Sequence, residues 1–259
     1  MKTTAPSKLP IISVIIPTYN CVDTLGAALI SVVDQNLAEK EIIIVDGGST
    51  DGTLDLLQKY DRQISKWISE PDEGIYDAVN KGIDLATGEW LYFLGSDDIL
   101  YDNHVLSDIP FKSMRCNMIY GNVVLDKDGV VGPAGSIYDG QFDKYKLAKR
   151  NICHQAIFYK KELFQELGKY DNRYPMLADW VFNMKAFAEK KTYPTYINRI
   201  IAVYANQGLS DKKEDINFKH DRETLVKTYL GLRVYFYQKF SQSKAYRYGA
   251  RLLKQFRWK

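Results

Sequence analysis

Cysteine is scarce: Cys21, Cys116 and Cys153 are the only three in 259 residues, and no two form a CxxC pair. That spacing argues against a zinc site and against a disulfide framework, so a reducing, cytoplasmic setting is expected. Long apolar runs are also missing. Nothing approaches the roughly 20 residues that cross a bilayer as a helix. The apolar stretch at residues 9–17 covers nine residues and ends in proline, so neither a leader peptide nor an anchor is expected there. There is no internal repeat and no low-complexity segment. GxGxxG and GKS/GKT are both absent, which excludes the dinucleotide fingerprint and the Walker loop. Acidic residues stop altogether after Glu223.

What is present suits a globular protein with a sizeable core: 46% hydrophobic and 26% charged residues are ordinary proportions for one. The length fits one large domain or a domain with an appendage. A net charge of +3 conceals an asymmetry, because residues 218–259 carry eleven Lys/Arg against only Asp221 and Glu223, while residues 1–217 hold 24 basic and 30 acidic side chains. A tail of this kind suits a polyanionic partner, either membrane headgroups or nucleic acid.

The first hundred residues alternate strand and helix signals. Continuous apolar, β-branched runs at residues 11–16 and 41–46 predict strands buried on both faces. Residues 64–69 and 89–94 predict two more. Helices are expected over Val22–Val33, over residues 53–60 behind an Asp51 cap, and where Ile75, Ala78, Val79, Ile83 and Ala86 share one face before Gly88 ends the helix. Strands separated by helices predict βαβ units and a mainly parallel sheet, in which ligands bind beyond the carboxyl ends of the strands. In the second half, Met118–Leu125 and residues 129–131 predict a hairpin turning at Asp126-Lys127-Asp128-Gly129. Residues 161–167 and 178–190 predict helices, residues 197–204 a strand, and residues from 218 onward a mostly helical, tyrosine-rich segment.

Polar residues cluster at the predicted strand ends. Asp97-Asp98 follows a strand directly. Adjacent carboxylates repel each other and suit a hard divalent cation whose shell is completed by phosphate oxygens; a helix cap before Leu100 is the alternative. The stretch Asp46-Gly47-Gly48-Ser49-Thr50-Asp51-Gly52-Thr53 allows a tight turn and close backbone approach to a ligand, with a capped strand-to-helix turn as its alternative.

Taken in order, IIPTYN, EIIIVDGGSTDGT and SEPDEGIYDAVNKGIDLATGEWLYFLGSDD resemble the nucleotide-binding half of family 2 glycosyltransferases of GT-A fold. The resemblance is close over residues 11–98 and continues more weakly through HQAIFY and YPMLADWVF. The wording DGGSxDGT and GIYDAxNKG is shared with bacterial enzymes of colanic-acid, capsule and O-antigen assembly. The resemblance implies an α/β, Rossmann-like GT-A sheet with helices on both faces and a C-terminal helical extension. Residues 1–215 would form the transferase domain, with a nucleotide-sugar half over about 10–100 and an acceptor half over about 101–215, and residues 216–259 the basic extension.

By position, the resemblance implies that Pro17, Tyr19, Asp46, Asp72, Asn80, Lys81, Ser96 and Asp97 bind the donor. Asp98, with Asp97, would hold Mn²⁺ or Mg²⁺, and Asp179 would be the catalytic base. Trp180, His154 and Gln155 would lie on the acceptor side; for the histidine, a metal-ligand role and a purely structural one remain alternatives. Two features depart from the family pattern. The acidic motif reads SDD rather than a spaced DxD, and Gly47 stands where many members carry a second acid that reads the base.

The expected reaction is metal-dependent, inverting transfer from a nucleoside-diphosphate sugar, with UDP the expected carrier, to a hydroxyl of a glycan or lipid-linked acceptor. The rival readings are a sugar-phosphate nucleotidylyltransferase, whose Gly-rich basic loop is replaced by IIPTYN, and a non-catalytic nucleotide-sugar or polyanion binder. The expected partner of the tail is an anionic membrane surface at the cytoplasmic face, with no nucleic acid.

Overall fold

The computed structural model describes residues 9–113, 115–129, 131–206 and 214–242. Strand β1 (Ile12–Thr18) lies between β2 (Lys40–Asp46) and β4 (Trp90–Phe93), with β3 (Lys66–Ser69) outside β2, and these four run parallel. The sheet continues β4–β8–β6–β9–β5. Here β8 (Ile157–Lys160) runs antiparallel to both neighbours, β6 (Met118–Leu125) and β9 (Pro194–Tyr204) are parallel to each other, and β5 (Ile99–Leu100) is antiparallel to β9. A short β7 (Ile137–Tyr138) flanks β6.

Both faces of the sheet are covered, which is why its strands read as unbroken apolar runs. Ile12, Val14 and Ile16 face a cluster shared with α1 (Val22–Val33), α2 (Thr53–Lys59) and α4 (Val105–Asp108). Ile15 faces the opposite cluster, shared with α3 (Ile75–Leu85), α5 (Lys144–Leu147), α6 (Lys161–Leu167) and α7 (Ala178–Ala188). The same alternation sends Trp90 and Tyr92 to one side and Leu91 and Phe93 to the other, as the two-residue period of a strand requires. Each such side chain, fully withdrawn from water, contributes about 1.5–3 kcal/mol.

Four local expectations need correction. Helix α3 stops at Leu85, not at Gly88. Gly88 serves a different purpose: a β-carbon there would stand 2.7 Å from the Ser13 backbone nitrogen, and its own N–H donates to Ser13 Oγ at 2.9 Å. The strand returning along β6 is Ile137–Tyr138, reached by a longer loop in which Leu125 N–H donates to the Ser136 carbonyl; Val130, part of the expected hairpin, lies outside the described residues. Strand β8, not expected as a strand, inserts between β4 and β6. Its four residues run straight into α6, so no break in periodicity marks them. Strand β9 begins at Pro194, three residues before the expected start.

The C-terminal segment forms α8 (Ile216–Leu225), a π-helical turn (Val226–Leu230) and α9 (Leu232–Gln242). Asp215 caps α8 through its bond from Phe218 N–H at 2.9 Å. Phe218, Leu225, Val226, Leu230 and Val234 join the main core, and Phe218 stacks on Trp180 at 4.8 Å between ring centroids. The helix expected beyond residue 242 lies outside the described residues.

Candidate active site

The parallel strands β1, β2 and β4 end along one edge, and a cavity of about 730 Å³ opens there. Its floor and rim bring together Pro17, Tyr19, Asp72, Ser96, Asp97, Asp98, His154, Gln155 and Asp179. Asp46, Asn80, Lys81 and Trp180 are not among the residues lining it.

Those four are engaged elsewhere. Asp46 is fully buried. Its Oδ2 accepts from Gly48 N–H, Ser49 N–H and Ser69 Oγ at 3.0, 2.9 and 2.6 Å, and its Oδ1 accepts from Ser49 Oγ at 2.5 Å. Burial alone would push this carboxyl up, but the donors from Ser49, Ser69 and Gly48 outweigh it and hold the group below its ordinary value. Asp46 thus ties down the loop that carries Gly47 and Gly48. Asn80 clasps the chain at Tyr170, donating to its carbonyl at 2.9 Å and accepting from its N–H at 3.0 Å. Lys81 pairs with Glu70 at 2.9 Å and donates to the Pro71 carbonyl at 3.0 Å. The Trp180 indole N–H donates to the Leu147 carbonyl at 2.8 Å.

Tyr19, which lines the cavity, is 64% exposed and presents a flat apolar face suited to stacking. A β-carbon on Gly47 would sit 2.5 Å from Asp72 Oδ2 and 3.3 Å from Tyr19 Cδ2. Glycine is therefore what lets Asp72 and Tyr19 close in beside the strand end. The Asp72 loop is itself pinned, with Gly74 N–H donating to Asp72 Oδ1 at 2.9 Å.

The acidic pair follows β4 and lines the cavity. A β-carbon on Gly95 would collide with Asp98 Oδ2 and stand 3.0 Å from Asp97 Oδ1. Asp98 is almost wholly buried; its Oδ1 accepts from Ala205 N–H at 2.7 Å and its Oδ2 from Gln155 Nε2 at 2.5 Å. Burial, reinforced by the Asp97 charge, pushes its carboxyl up to about 7. Two hydrogen bonds leave that charge under-compensated, which is the electrostatic setting a divalent cation relieves. Among the described residues no three His, Cys, Asp or Glu side chains converge as a self-sufficient cage. The donor set therefore fits a cation that takes most of its oxygens from phosphate and water.

Asp179, in the first turn of α7, is only 5% exposed and lines the same cavity. Its Oδ1 accepts from the Tyr76 hydroxyl at 2.7 Å, and its Oδ2 from Asn151 Nδ2 at 2.6 Å. His154 Nδ1 lies 3.5 Å from Oδ2 and makes no hydrogen bond to it. Burial and then the Asp179 charge push the Tyr76 phenol well above its ordinary range, so it stays protonated and donates. Two contributors escaped sequence reasoning. Asn151 has no periodic or motif signal, and the Ala205 N–H is a backbone group with no signature at all.

A mixed α/β sheet, parallel over β3-β2-β1-β4 and covered by helices on both faces, is the arrangement of a GT-A fold. Residues 13–187 match the model of the family described as "Glycosyl transferase family 2". The chain belongs to that family and is a glycosyltransferase. It is 38% identical over 233 residues to a PGL/p-HBAD biosynthesis glycosyltransferase of Mycobacterium tuberculosis, covering 87% of this chain and 88% of that one. Among solved structures, S. aureus TarS 1-349 in complex with UDP superposes with a TM-score of 0.68 at 19% identity, over 85% of this chain and 65% of that chain. The mannosyltransferase PcManGT from Pyrobaculum calidifontis, in complex with GDP-Man and Mn²⁺, has a TM-score of 0.59 at 17% identity, over 92% of this chain and 66% of that one.

Proposed function

We propose that the protein is an inverting, metal-dependent transferase that moves a sugar from a nucleoside-diphosphate donor, UDP foremost, to a hydroxyl of a glycan or lipid-linked acceptor in bacterial surface-polysaccharide synthesis. Residues 10–100 supply the donor half and residues 101–215 the acceptor half. The observation that carries the reading is Asp179: a carboxylate with both oxygens held by donors, lining the same cavity as the acidic pair. The UDP and GDP-Man complexes of the structural neighbors support a nucleotide-sugar donor.

In this reading the nucleobase stacks on Tyr19 beside Asp72. Asp98, with Asp97, would hold Mn²⁺ or Mg²⁺, which supplies Lewis-acid neutralization of the diphosphate. The acceptor oxygen attacks the anomeric carbon while its proton passes to an Asp179 carboxylate oxygen. The bond from that carbon to the diphosphate oxygen breaks, and its electron pair leaves with the diphosphate. A single displacement inverts the anomeric center, so an α-linked donor yields a β-linkage. His154 and Gln155 border the acceptor side.

The basic segment 216–259 is assigned to an anionic membrane surface at the cytoplasmic face. Support comes from the outer side of α9, opposite buried Val234 and Gln238, where Leu232, Phe236 and Phe240 are 60%, 63% and 60% exposed and Arg233 and Lys239 flank them. Among the described residues no helix is long and apolar enough to cross a membrane, so an interfacial contact is the form such binding takes.

The deciding experiment screens a panel of nucleotide sugars for released diphosphate, with and without lipid-linked acceptors, for wild type and Asp179→Asn. Acceptor-dependent release that falls at least roughly 10²-fold in the variant, the scale of a general base, supports the reading. Nucleotide affinity with no release would leave a binding protein. Pyrophosphate release from a sugar phosphate and a nucleoside triphosphate would leave the nucleotidylyltransferase.

A further inference from the structure

The direction in which Asp179 is held traces back into the core. Asn151 Nδ2 donates to Asp179 Oδ2 at 2.6 Å, Asn151 Oδ1 accepts from Asn183 Nδ2 at 2.9 Å, and Asn183 Oδ1 accepts from the Tyr159 hydroxyl at 2.7 Å. Asn183 and Tyr159 are completely buried. An amide offers one acceptor and one donor end, and which end points where is set by its partners. The Tyr159 hydroxyl occupies the acceptor end of Asn183. That leaves the Asn183 amino group for the acceptor end of Asn151, and the Asn151 amino group for the carboxylate. Every donor in the chain points toward Asp179.

We propose that Tyr159, Asn183 and Asn151 form a one-way donor relay that positions the Asp179 carboxylate for removal of the acceptor proton, with Asn151 and Asn183 as positioning residues. The inference rests on Asp179 being the base. Besides Asn151, the groups facing that carboxylate are Tyr76 from α3, His154 Nδ1 from the turn before β8, Tyr159 from β8 and Tyr170 from the loop after α6. Burial first, with neighboring charge second, pushes all three phenols well above their ordinary range, so they stay neutral. His154 is the one cationic candidate, and it lacks a hydrogen bond to Asp179. The Asn151 amide therefore supplies a fixed, uncharged donor at Oδ2.

Two variants test the relay. Asn151→Asp puts a second carboxylate where the donor was, so the acid limb of the kcat profile moves up by at least about one pH unit. Asn183→Leu removes the group that orients Asn151 without adding charge. Each lowers kcat at least about tenfold, the scale of one hydrogen bond to a charged group, while KM for the nucleotide sugar stays within about twofold, since neither residue is assigned to the donor. If Asn183→Leu does not fold, Asn151→Asp decides alone. Asn151→Asp with wild-type kcat and an unmoved acid limb overturns the relay. If Asp179→Asn loses turnover in that same experiment, the base assignment stands and only the relay fails; if Asp179→Asn keeps turnover, both fail.

Discussion

Gln155 Nε2 donates to Asp98 Oδ2 at 2.5 Å, joining the turn before β8 to the acidic pair after β4 across 57 residues of sequence. His154, the neighbor of Gln155, turns its Nδ1 toward Asp179 instead. One short turn thus touches both the carboxylate assigned to the metal and the carboxylate assigned to the proton.

The Asp98 carboxyl makes stability depend on pH in an unusual direction. Its folded-state value of about 7 stands above the ordinary 3.8. Between these values the folded chain holds a proton that the unfolded chain has released, so stability falls as pH rises from about 4 to about 7 and stays low above that. The full penalty is on the order of 4 kcal/mol. Asp98→Asn, which removes the charge, is expected to melt higher than wild type in EDTA at pH 8 and to converge with it near pH 4, while losing nearly all turnover. Equal melting temperatures at pH 8 would show that the buried charge carries no cost.

Asp46 has the opposite sign. Held below its ordinary value, it contributes stability that is present above the unfolded-state value and disappears as pH falls through the folded one. Asp46→Ala leaves the Gly48 and Ser49 amides and the Thr18, Ser49 and Ser69 hydroxyls without this acceptor and should cost at least about 1.5–3 kcal/mol, the range for a hydrogen bond to a charged group. Chemical denaturation measures it. A variant that keeps wild-type stability but loses donor affinity would return Asp46 to direct donor contact.

Gly47→Ala tests the nucleotide side. The added methyl must displace the Asp72 carboxylate or the Tyr19 ring. We expect KM for the nucleotide sugar to rise at least about tenfold with kcat nearly unchanged, the pattern of lost uniform binding. A change confined to kcat would mean that Tyr19 and Asp72 do not hold the nucleotide.

Membrane binding through α9 is read by co-sedimentation with vesicles. Binding should increase with anionic lipid, decrease with salt as screening shortens the range of the field, and weaken in Leu232→Glu and Phe236→Glu. Each basic residue near the headgroups contributes about 1 kcal/mol. Equal recovery in the supernatant with neutral and anionic vesicles at low salt removes the membrane from the reading.

The sequence by itself determined the parallel half of the sheet, because a strand buried on both faces has to be apolar at every position, and residues 12–16, 42–45 and 90–94 are nearly so. It also determined that polar groups gather at one edge, since the runs lead within four residues to Asn20, Asp46 and Ser96. Local patterns report how a segment is buried, and nothing in them reports what it meets. Asp46 and Asp72 look alike as carboxylates near strand ends, yet the first is saturated by Ser49 and Ser69 while the second lines the cavity. Asn151 meets Asp179 only because β8 enters the sheet between β4 and β6 and carries the preceding turn across the strand ends. Its own four residues give no hint of that order. Sheet order is decided by the summed packing of two apolar faces over the whole chain, so a contact spanning 28 residues, or the 107 between Asp98 and Ala205, belongs to the tertiary structure alone.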